Sequence, residues 1–114
     1  ENGDDLKLSN LIKIMNEFLH SPIWSYEDEI VSNDPKFILD DEILQVLSKQ
    51  IEEMFSGYYE FDSHGQSCWF NHEKEKEDKE IMIDLISKLV ARLNEINDGS
   101  YIIEDLETER LKKL

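Results

Sequence analysis

A continuous apolar stripe in the second half of the chain places the strongest constraint on the fold. Its members recur at the three- and four-residue spacing of one helix face: Met82, Leu85, Ile86, Leu89, Val90, Leu93 and Ile96. Lys88 and Arg92 fall away from the stripe, and Asp98-Gly99 follows it with a glycine suited to a helix C-cap. The spacing predicts an amphipathic helix that ends near Asn97 and packs its apolar face into a core.

A second stripe predicts another helix, from the Asp40-Asp41 pair to about Phe55. The face predicted to pack into the core consists of Ile43, Leu44, Leu47, Ile51, Met54 and Phe55. Asp40 or Asp41 can cap the first turn, and Gly57 is placed to end the helix in a left-handed conformation. Upstream, Asn33-Asp34-Pro35 is a helix-start signal that predicts a short turn through residues 37–39.

The beginning of the chain also shows helical spacing, through Leu8, Leu11, Ile12, Met15, Phe18 and Leu19. This pattern predicts a helix from Leu6 to His20, after a frayed start at residues 1–5. Ser21-Pro22 ends it, because a residue before proline is disfavoured in the helical region. Residues 21–33 show no clean period and are compatible with a short helix or with a loop over the core.

Aromatic residues flank a glycine-centred polar segment between residues 58 and 72. Tyr58, Tyr59 and Phe61 precede DSHGQS and Trp69-Phe70 follows it, as in a small β-hairpin or a loop anchored by its rings. The charged run 73–80 indicates a solvated first turn or loop. Residues 101–103 are β-prone, but the leucines and late basic residues of 106–114 favour a terminal helix.

Together these patterns predict a mainly α fold. It would be a compact bundle of three to four helices. A small β-hairpin near 58–71 accompanies the bundle if that segment is not a loop. Residues 1–114 are interpreted as a single globular acidic domain, because no linker divides the chain. Four glycines and two prolines are few for an all-β fold, which needs many tight turns.

Charge and cysteine usage exclude several classes of function. A formal net charge of −15 argues against direct binding of nucleic acid or anionic membranes, which requires clustered lysine and arginine. The single cysteine, Cys68, cannot form an internal disulfide, which indicates a reducing compartment. No apolar run approaches the roughly 18–20 residues of a membrane span. The chain is therefore expected to be soluble and cytoplasmic.

A metal or thiol site is the main chemical alternative. His64, Cys68 and His72 are spaced at four residues and are zinc-ligand types, with Asp62 nearby. A glycine at position 65 speaks against the helix that this spacing needs, and no CxxC or HExxH pair is present. A reactive thiolate also prefers positive surroundings, which this chain lacks. We therefore expect no catalytic residues, no metal, no cofactor and no enzymatic activity.

Acidic residues are concentrated between Glu17 and Asp62. This stretch contains twelve acidic and two basic residues, a balance of −10 (12 − 2) out of −15 for the chain. Like charges crowded on one surface weaken a fold by repulsion, so the asymmetry indicates a basic protein partner. The residues predicted to contact it are Trp24, Tyr26, Glu27, Asp28, Glu29, Asp34, Asp40, Asp41, Tyr58, Tyr59, Glu60 and Asp62.

In size, charge and composition the chain resembles the immunity proteins of bacterial toxin systems, including those of contact-dependent growth inhibition. The resemblance implies a non-enzymatic inhibitor that neutralises a basic toxin domain, such as a nuclease, at its active site or at an exosite. The alternative is a nucleic-acid mimic that inhibits a host nuclease or DNA-binding protein. A ladder of evenly spaced carboxylates favours mimicry, whereas a compact acidic patch with aromatic anchors favours an immunity protein.

Overall fold

The computed structural model describes residues 10–114. The predicted frayed start at residues 1–5, and residues 6–9 of the predicted first helix, lie outside this range. Helices account for 46% and strands for 28% of the structure. The fold is therefore mixed α/β, and the predicted mainly α bundle is wrong.

A mixed sheet and a separate hairpin are combined with helices along the chain. In order, the elements are β1 (Asn10–Ile14), β2 (Ile23–Glu27), β3 (Ile30–Val31), α1 (Lys36–Leu39), α2 (Glu42–Ser56), β4 (Tyr59–Ser63), β5 (Gln66–Phe70), α3 (His72–Glu77), α4 (Lys79–Ile96), β6 (Tyr101–Asp105) and α5 (Thr108–Lys112). Within residues 10–114, one sheet has the strand order β3-β2-β1-β6, and β4 pairs with β5 alone. In the larger sheet β1 is antiparallel to β2 and parallel to β6.

The predicted helix from Leu6 to His20 is wrong over its described part, where the chain forms β1 and a loop. Ile12 and Ile14 are fully buried on one face of β1, and the intervening Lys13 belongs to the other face. This period of two is that of a strand, and β-branched isoleucines fit a pleated surface well. Strands on both sides, β2 and β6, then satisfy the backbone of β1.

Residues 21–33 form neither a short helix nor a plain loop. They contain β2 and β3, joined by a tight turn at Asp28 and Glu29. The predicted terminal helix is found only as α5, because residues 101–105 pair with β1 as strand β6. The predicted hairpin is present as β4 and β5, with His64 and Gly65 at its turn.

The two amphipathic helices lie where the sequence places them, as α2 and α4, but Ile43 is exposed and its predicted place on the core face of α2 is wrong. The Asp41 carboxylate accepts a hydrogen bond of 2.9 Å from the Leu44 amide and so caps α2. Gly57 ends α2 with a φ of −68°, so its predicted left-handed conformation is wrong. A side chain there would place Cβ 3.2 Å from the Glu53 carbonyl oxygen, a tight contact that glycine avoids.

One hydrophobic core lies between the inner face of the sheet and these helices. Its fully buried members include residues from β1, β2, α1, α2, α4 and α5: Ile12, Ile14, Ile23, Ile38, Leu44, Ile51, Met82, Ile86, Leu89, Leu93 and Leu111. Helices therefore cover one face of the sheet in a two-layer arrangement.

The charged run 73–80 forms α3 and the start of α4 and is only partly solvated. Glu75 is 2% exposed, so the solvated interpretation is wrong at this residue. Its carboxylate lies 2.5 Å from the Arg110 guanidinium, which also pairs with buried Glu107 at 2.5 Å. This network of ion pairs joins α3 to α5. The two helices are far apart in sequence, so a local sequence pattern does not predict the contact.

Candidate partner-binding surface

The face of the larger sheet that points away from the helices is called the outer sheet face. Strand register places its residues side by side: Leu11, Lys13, Trp24, Tyr26, Val31, Ile102 and Glu104. Val31 and Ile102 are 57% and 54% exposed on the two edge strands. Within residues 10–114 the helices pack on the opposite face, which leaves an accessible surface rich in apolar groups.

Two aromatic rings of the outer sheet face are held by their neighbours. The indole Nε1 of Trp24 donates to the Met15 carbonyl at 3.1 Å, and the indole stacks on the His20 ring at 3.8 Å. The Lys13 ammonium lies 5.0 Å from the centre of the Tyr26 ring, within cation–π range. Rings already fixed in place lose little conformational entropy when a partner binds them.

Glu27, Asp28 and Glu29 form the acidic turn between β2 and β3. All three are exposed, and no ion pair within residues 10–114 involves any of them. Asp28 and Glu29 have φ values of 50° and 69°, as in a type I′ turn. A left-handed conformation costs about 1–2 kcal/mol for a residue other than glycine. The turn thus carries three carboxylates that pair with no described residue, and its backbone is strained at Asp28 and Glu29.

Other acidic groups reinforce the negative potential at this end of the sheet. Burial, followed by the charges of Glu27, Asp34 and Asp98, raises the pKa of the Tyr101 hydroxyl. The three carboxylates that act on Tyr101 come from separate segments of the chain. The end of β2 and the start of β6 therefore share one acidic neighbourhood.

The predicted contact residues before α2 have structural partners. Asp34 accepts a 2.5 Å hydrogen bond from the buried Ser25 hydroxyl, and exposed Asp40 pairs with Lys36 at 2.5 Å. Asp41 caps α2, and its two carboxylate oxygens share the Nε–H of Arg92 at 3.2 and 3.1 Å. These hydrogen bonds from Arg92 hold the pKa of the Asp41 carboxyl below its usual range. The carboxylates of Asp34 and Asp41 therefore stabilise the fold through these contacts and are less available to a partner than those of the acidic turn.

The aromatic residues before the hairpin belong largely to the interior. Tyr58 is 2% exposed, and its hydroxyl donates to Asp78 at 3.1 Å. Tyr59 packs edge-on against Phe70, with ring centres 4.9 Å apart. Both rings are placed to hold the hairpin on the end of α2 rather than to project from the surface.

The acidic residues of the hairpin differ in exposure. Half-buried Glu60 accepts a hydrogen bond of 2.9 Å from the Asn71 amide, which joins β4 to the start of α3. Asp62 is exposed near the tip, with a φ of 55°. Asp62 is thus the freest carboxylate among the contact residues predicted in this segment.

The hairpin and the acidic turn lie at opposite ends of β2. The loop between β1 and β2 touches the hairpin base, with the Phe18 and Tyr59 rings 4.7 Å apart. In the same loop the Leu19 amide donates to the Ser56 hydroxyl at 2.9 Å. From this loop β2 runs five residues, roughly 16 Å of strand, to the acidic turn. The predicted contact residues therefore do not form one continuous patch.

Several residues of the outer sheet face escaped the sequence interpretation, namely Leu11, Lys13, Val31, Ile102 and Glu104. The β-prone residues 101–103 indicated a strand in this part of the surface. The segment was nevertheless interpreted as a helix, because helical spacing follows it. The other signal was the alternation within residues 11–14, which helical spacing over a longer window obscured.

The zinc-like spacing does not gather its residues into one site. Cys68 is exposed on β5, and His64 stacks on Trp69 at the hairpin tip, with ring centres 3.8 Å apart. His72 starts α3 instead, where its ring meets the edge of Phe70. Among residues 10–114, no group of three or more His, Cys, Asp or Glu side chains is placed to hold a metal ion.

A membrane-crossing helix would have to be longer and more apolar than any helix in the described part of the chain. No protein-family model, curated protein or solved structure matches this chain.

Proposed function

We propose that this chain is a non-enzymatic inhibitor of the immunity type, which binds a basic toxin domain, such as a nuclease, in the bacterial cytoplasm. The observation that carries the proposal is the outer sheet face with the acidic turn at its end. Fixed rings and exposed aliphatic side chains adjoin there, next to carboxylates that form no ion pair within residues 10–114. That combination suits a protein partner with an apolar patch bordered by lysine or arginine.

The charge of the chain supports the first step of binding. A net charge of −15 attracts a cationic protein over distance and raises the association rate in a salt-dependent manner. The acidic turn, which is free of ion pairs with the described residues, presents its carboxylates to the partner's basic residues. Trp24 and Tyr26 then serve as anchors, since rings of this kind concentrate binding energy at interfaces.

The nucleic-acid mimic is the less favoured function. Mimicry requires carboxylates spaced like phosphates along an extended face. Among the predicted contact residues, the freest carboxylates instead lie in the acidic turn and at Asp62, at opposite ends of β2. The carboxylates of the turn adjoin exposed apolar groups, which phosphate contacts do not need.

The proposal is tested by quantitative affinity capture from cells that produce the chain. The first bait variant combines Trp24→Ala with Tyr26→Ala. The second combines Glu27→Lys, Asp28→Asn and Glu29→Lys, where asparagine tolerates the positive φ of position 28. A matched charge control, Glu73→Lys, Glu77→Lys and Glu80→Gln, alters net charge equally at exposed helical positions far along the chain.

A basic protein that the wild type and the charge control capture, and that both surface variants lose, supports the proposal. Co-expression of the chain should also relieve the toxicity of that protein in cells. Retention of the partner by both surface variants would remove the outer sheet face from the interface. A captured partner that is harmless when expressed alone would overturn the inhibitor function.

A further inference from the structure

A polar cavity of about 270 Å³ lies between the start of β2 and the middle of α2. Ser21, Ile23 and Asp34 line it on one side, and one stripe of α2 lines it on the other. The stripe has the i, i+3, i+4, i+7 spacing of a single helix face and consists of Gln45, Ser48, Lys49 and Glu52. One water molecule needs only roughly 10–15 Å³ of such space, so the cavity can hold a ligand of several heavy atoms.

Ser48 brings a buried hydroxyl to this lining. The residue is 7% exposed, and its Oγ forms no hydrogen bond within residues 10–114. A buried hydroxyl without a partner destabilises a fold, because it has given up its hydrogen bonds to water. Alanine would also be the better helix former at this position. The serine therefore points to a ligand that enters the cavity and supplies the missing partner.

Two carboxylates line the same cavity from separate segments of the chain. Asp34 precedes α1, and its Oδ1 accepts a hydrogen bond of 2.5 Å from the buried Ser25 hydroxyl. Glu52 is half-buried, one helical turn after Ser48. Neither Asp34 nor Glu52 forms an ion pair with another described residue. Both carboxylates can therefore pair with a cation in the cavity.

The lining residues themselves carry a negative balance. Asp34 and Glu52 contribute two negative charges and Lys49 one positive charge, which leaves −1 (1 − 2). Lys49 is exposed and pairs with Glu53 at 3.3 Å. Ionised carboxylates only accept hydrogen bonds, and the Ser48 hydroxyl can accept them as well. The cavity therefore favours a ligand that combines positive charge with several hydrogen-bond donors.

We infer that this cavity binds a primary alkylammonium group, of a free amine or of a lysine side chain. An ammonium has three donors and no acceptor, which matches the oxygens of Ser48, Asp34 and Glu52. The alkyl chain lies against Ile23, the apolar part of the lining. Ile23 belongs to the buried face of β2, so the cavity is separate from the outer sheet face. The inference therefore does not rest on the proposed function.

The probe is n-butylammonium chloride, titrated into isotope-labelled protein and followed by the amide chemical shifts. Saturable shifts are expected in residues 21–25, at Asp34 and in residues 45–52 at millimolar concentrations of the probe. Potassium chloride at equal concentration is the reference for the effect of ionic strength. n-Butanol has the same chain length but lacks the charge, and it should bind at least tenfold more weakly.

Variants of α2 measure the contributions of charge and hydroxyl separately. Glu52→Gln should weaken binding of n-butylammonium at least tenfold. Glu42→Gln is the matched control, since it alters net charge equally at an exposed position of α2 outside the cavity, and it should change the affinity less than twofold. Ser48→Ala should weaken binding several-fold without lowering the melting temperature, because it removes a hydroxyl that no described residue pairs with.

A blocked lysine, Nα-acetyl-lysine methylamide, distinguishes the two sources of the ammonium. Binding at least tenfold tighter than that of n-butylammonium would assign the cavity to a lysine side chain of a protein. A smaller gain, or a loss, would assign it to a free amine, since the blocked backbone then adds no useful contact.

Several results would overturn the inference. They are no saturable shifts with n-butylammonium, the same shifts with potassium chloride, equal binding of n-butanol, or equal effects of Glu52→Gln and Glu42→Gln. Unchanged binding by Ser48→Ala would overturn it as well. A lower melting temperature for Ser48→Ala would also contradict it, because the hydroxyl would then stabilise the protein without a ligand.

Discussion

Replacing Arg110 with methionine should destabilise the fold through two carboxylates left without a counterion. Glu75 and Glu107 are 2% and 3% exposed, and both pair with the Arg110 guanidinium at 2.5 Å. Methionine keeps the aliphatic stem and a good helix former but removes the charge. The backbone N–H of Asn16 still donates to Glu107 at 3.0 Å, so Glu75 is the carboxylate that loses more when Arg110 is removed.

The size of the effect follows from the burial of the partners. Breaking a buried ion pair by removing one side costs about 3–5 kcal/mol. The Arg110 side chain is 42% exposed, and solvent screens its interactions in part, so the lower end applies. We expect a loss of about 3 kcal/mol in the free energy of unfolding, or roughly 10–15 °C in melting temperature.

The assay is urea unfolding at neutral pH, followed by tryptophan fluorescence. The double variant Glu75→Gln with Arg110→Met should recover at least about 1 kcal/mol relative to Arg110→Met, because a neutral amide replaces one uncompensated charge. Lys112→Met in α5 is the matched control; its ion pair with Glu109 is exposed and should contribute less than about 0.5 kcal/mol. A loss below about 1 kcal/mol for Arg110→Met would refute the reasoning, as would a double variant no more stable than the single one.

Three further changes test the fold. Leu89→Ala should lower the free energy of unfolding by about 2–5 kcal/mol in the same urea assay, because Leu89 is fully buried in the core. Asp41→Asn retains a capping side chain but loses the charge that Arg92 stabilises. Because hydrogen bonds from Arg92 lower the pKa of Asp41, its contribution is present above the unfolded carboxyl pKa, about 3.9, and is lost as the pH falls below it. The variant should therefore be less stable at pH 7 and lose less stability below about pH 4. Tyr58→Phe should flatten the loss of stability above about pH 10, because burial and Asp78 raise the pKa of Tyr58 and disfavour its ionised form in the folded state.

Each of these expectations can fail in a specific way. An unchanged unfolding midpoint for Leu89→Ala would mean that α4 packs with another face inward. Parallel acid-stability curves for Asp41→Asn and the wild type would remove the Arg92 contact as a source of pH dependence. If the stability of Tyr58→Phe above pH 10 matched that of the wild type, the hydroxyl of Tyr58 would not be a source of the alkaline pH dependence.

The helices that could be predicted are those whose signals are local. In α2, the cap at Asp41 and the buried positions Leu44, Ile51 and Phe55 all lie within one continuous segment. In α4 the same is true of the stripe from Met82 to Leu93. Local spacing and a capping residue suffice when an element buries one face of its own sequence. The hairpin turn at Gly65 was predictable for a similar reason.

The larger sheet was not predictable in this way because β6, which pairs with β1, comes from far along the chain. Ile12 pairs with Ser25 of the neighbouring strand on one side and with distant Ile103 on the other. The spacing of Leu11, Ile12 and Met15 fits a helix, whereas that of Ile12 and Ile14 fits a strand. Pairing of β1 with both β2 and β6 decides for the strand, with Ile12 and Ile14 buried on one face of the sheet.

The candidate surface was predicted in part, for the same reason. Trp24, Tyr26 and the acidic turn were recognised by residue type, and β2 places the two rings on one face. Tyr58 has the same composition signal but is buried, because its position after α2 directs it into the core. Residue type predicted which groups can bind, whereas exposure depended on strand pairing.

The central claim is that the outer sheet face binds a basic partner, and hydrogen–deuterium exchange on the complex with the captured protein tests it most directly. Binding should slow amide exchange in residues 23–31 and 101–105 and leave residues 59–70 unchanged. The affinity for the basic partner should also decrease as the salt concentration increases. Protection confined to residues 42–47 of α2 and 88–95 of α4 would place the partner on these helices, and protection confined to residues 59–70 would place it on the hairpin. Either result would contradict the claim.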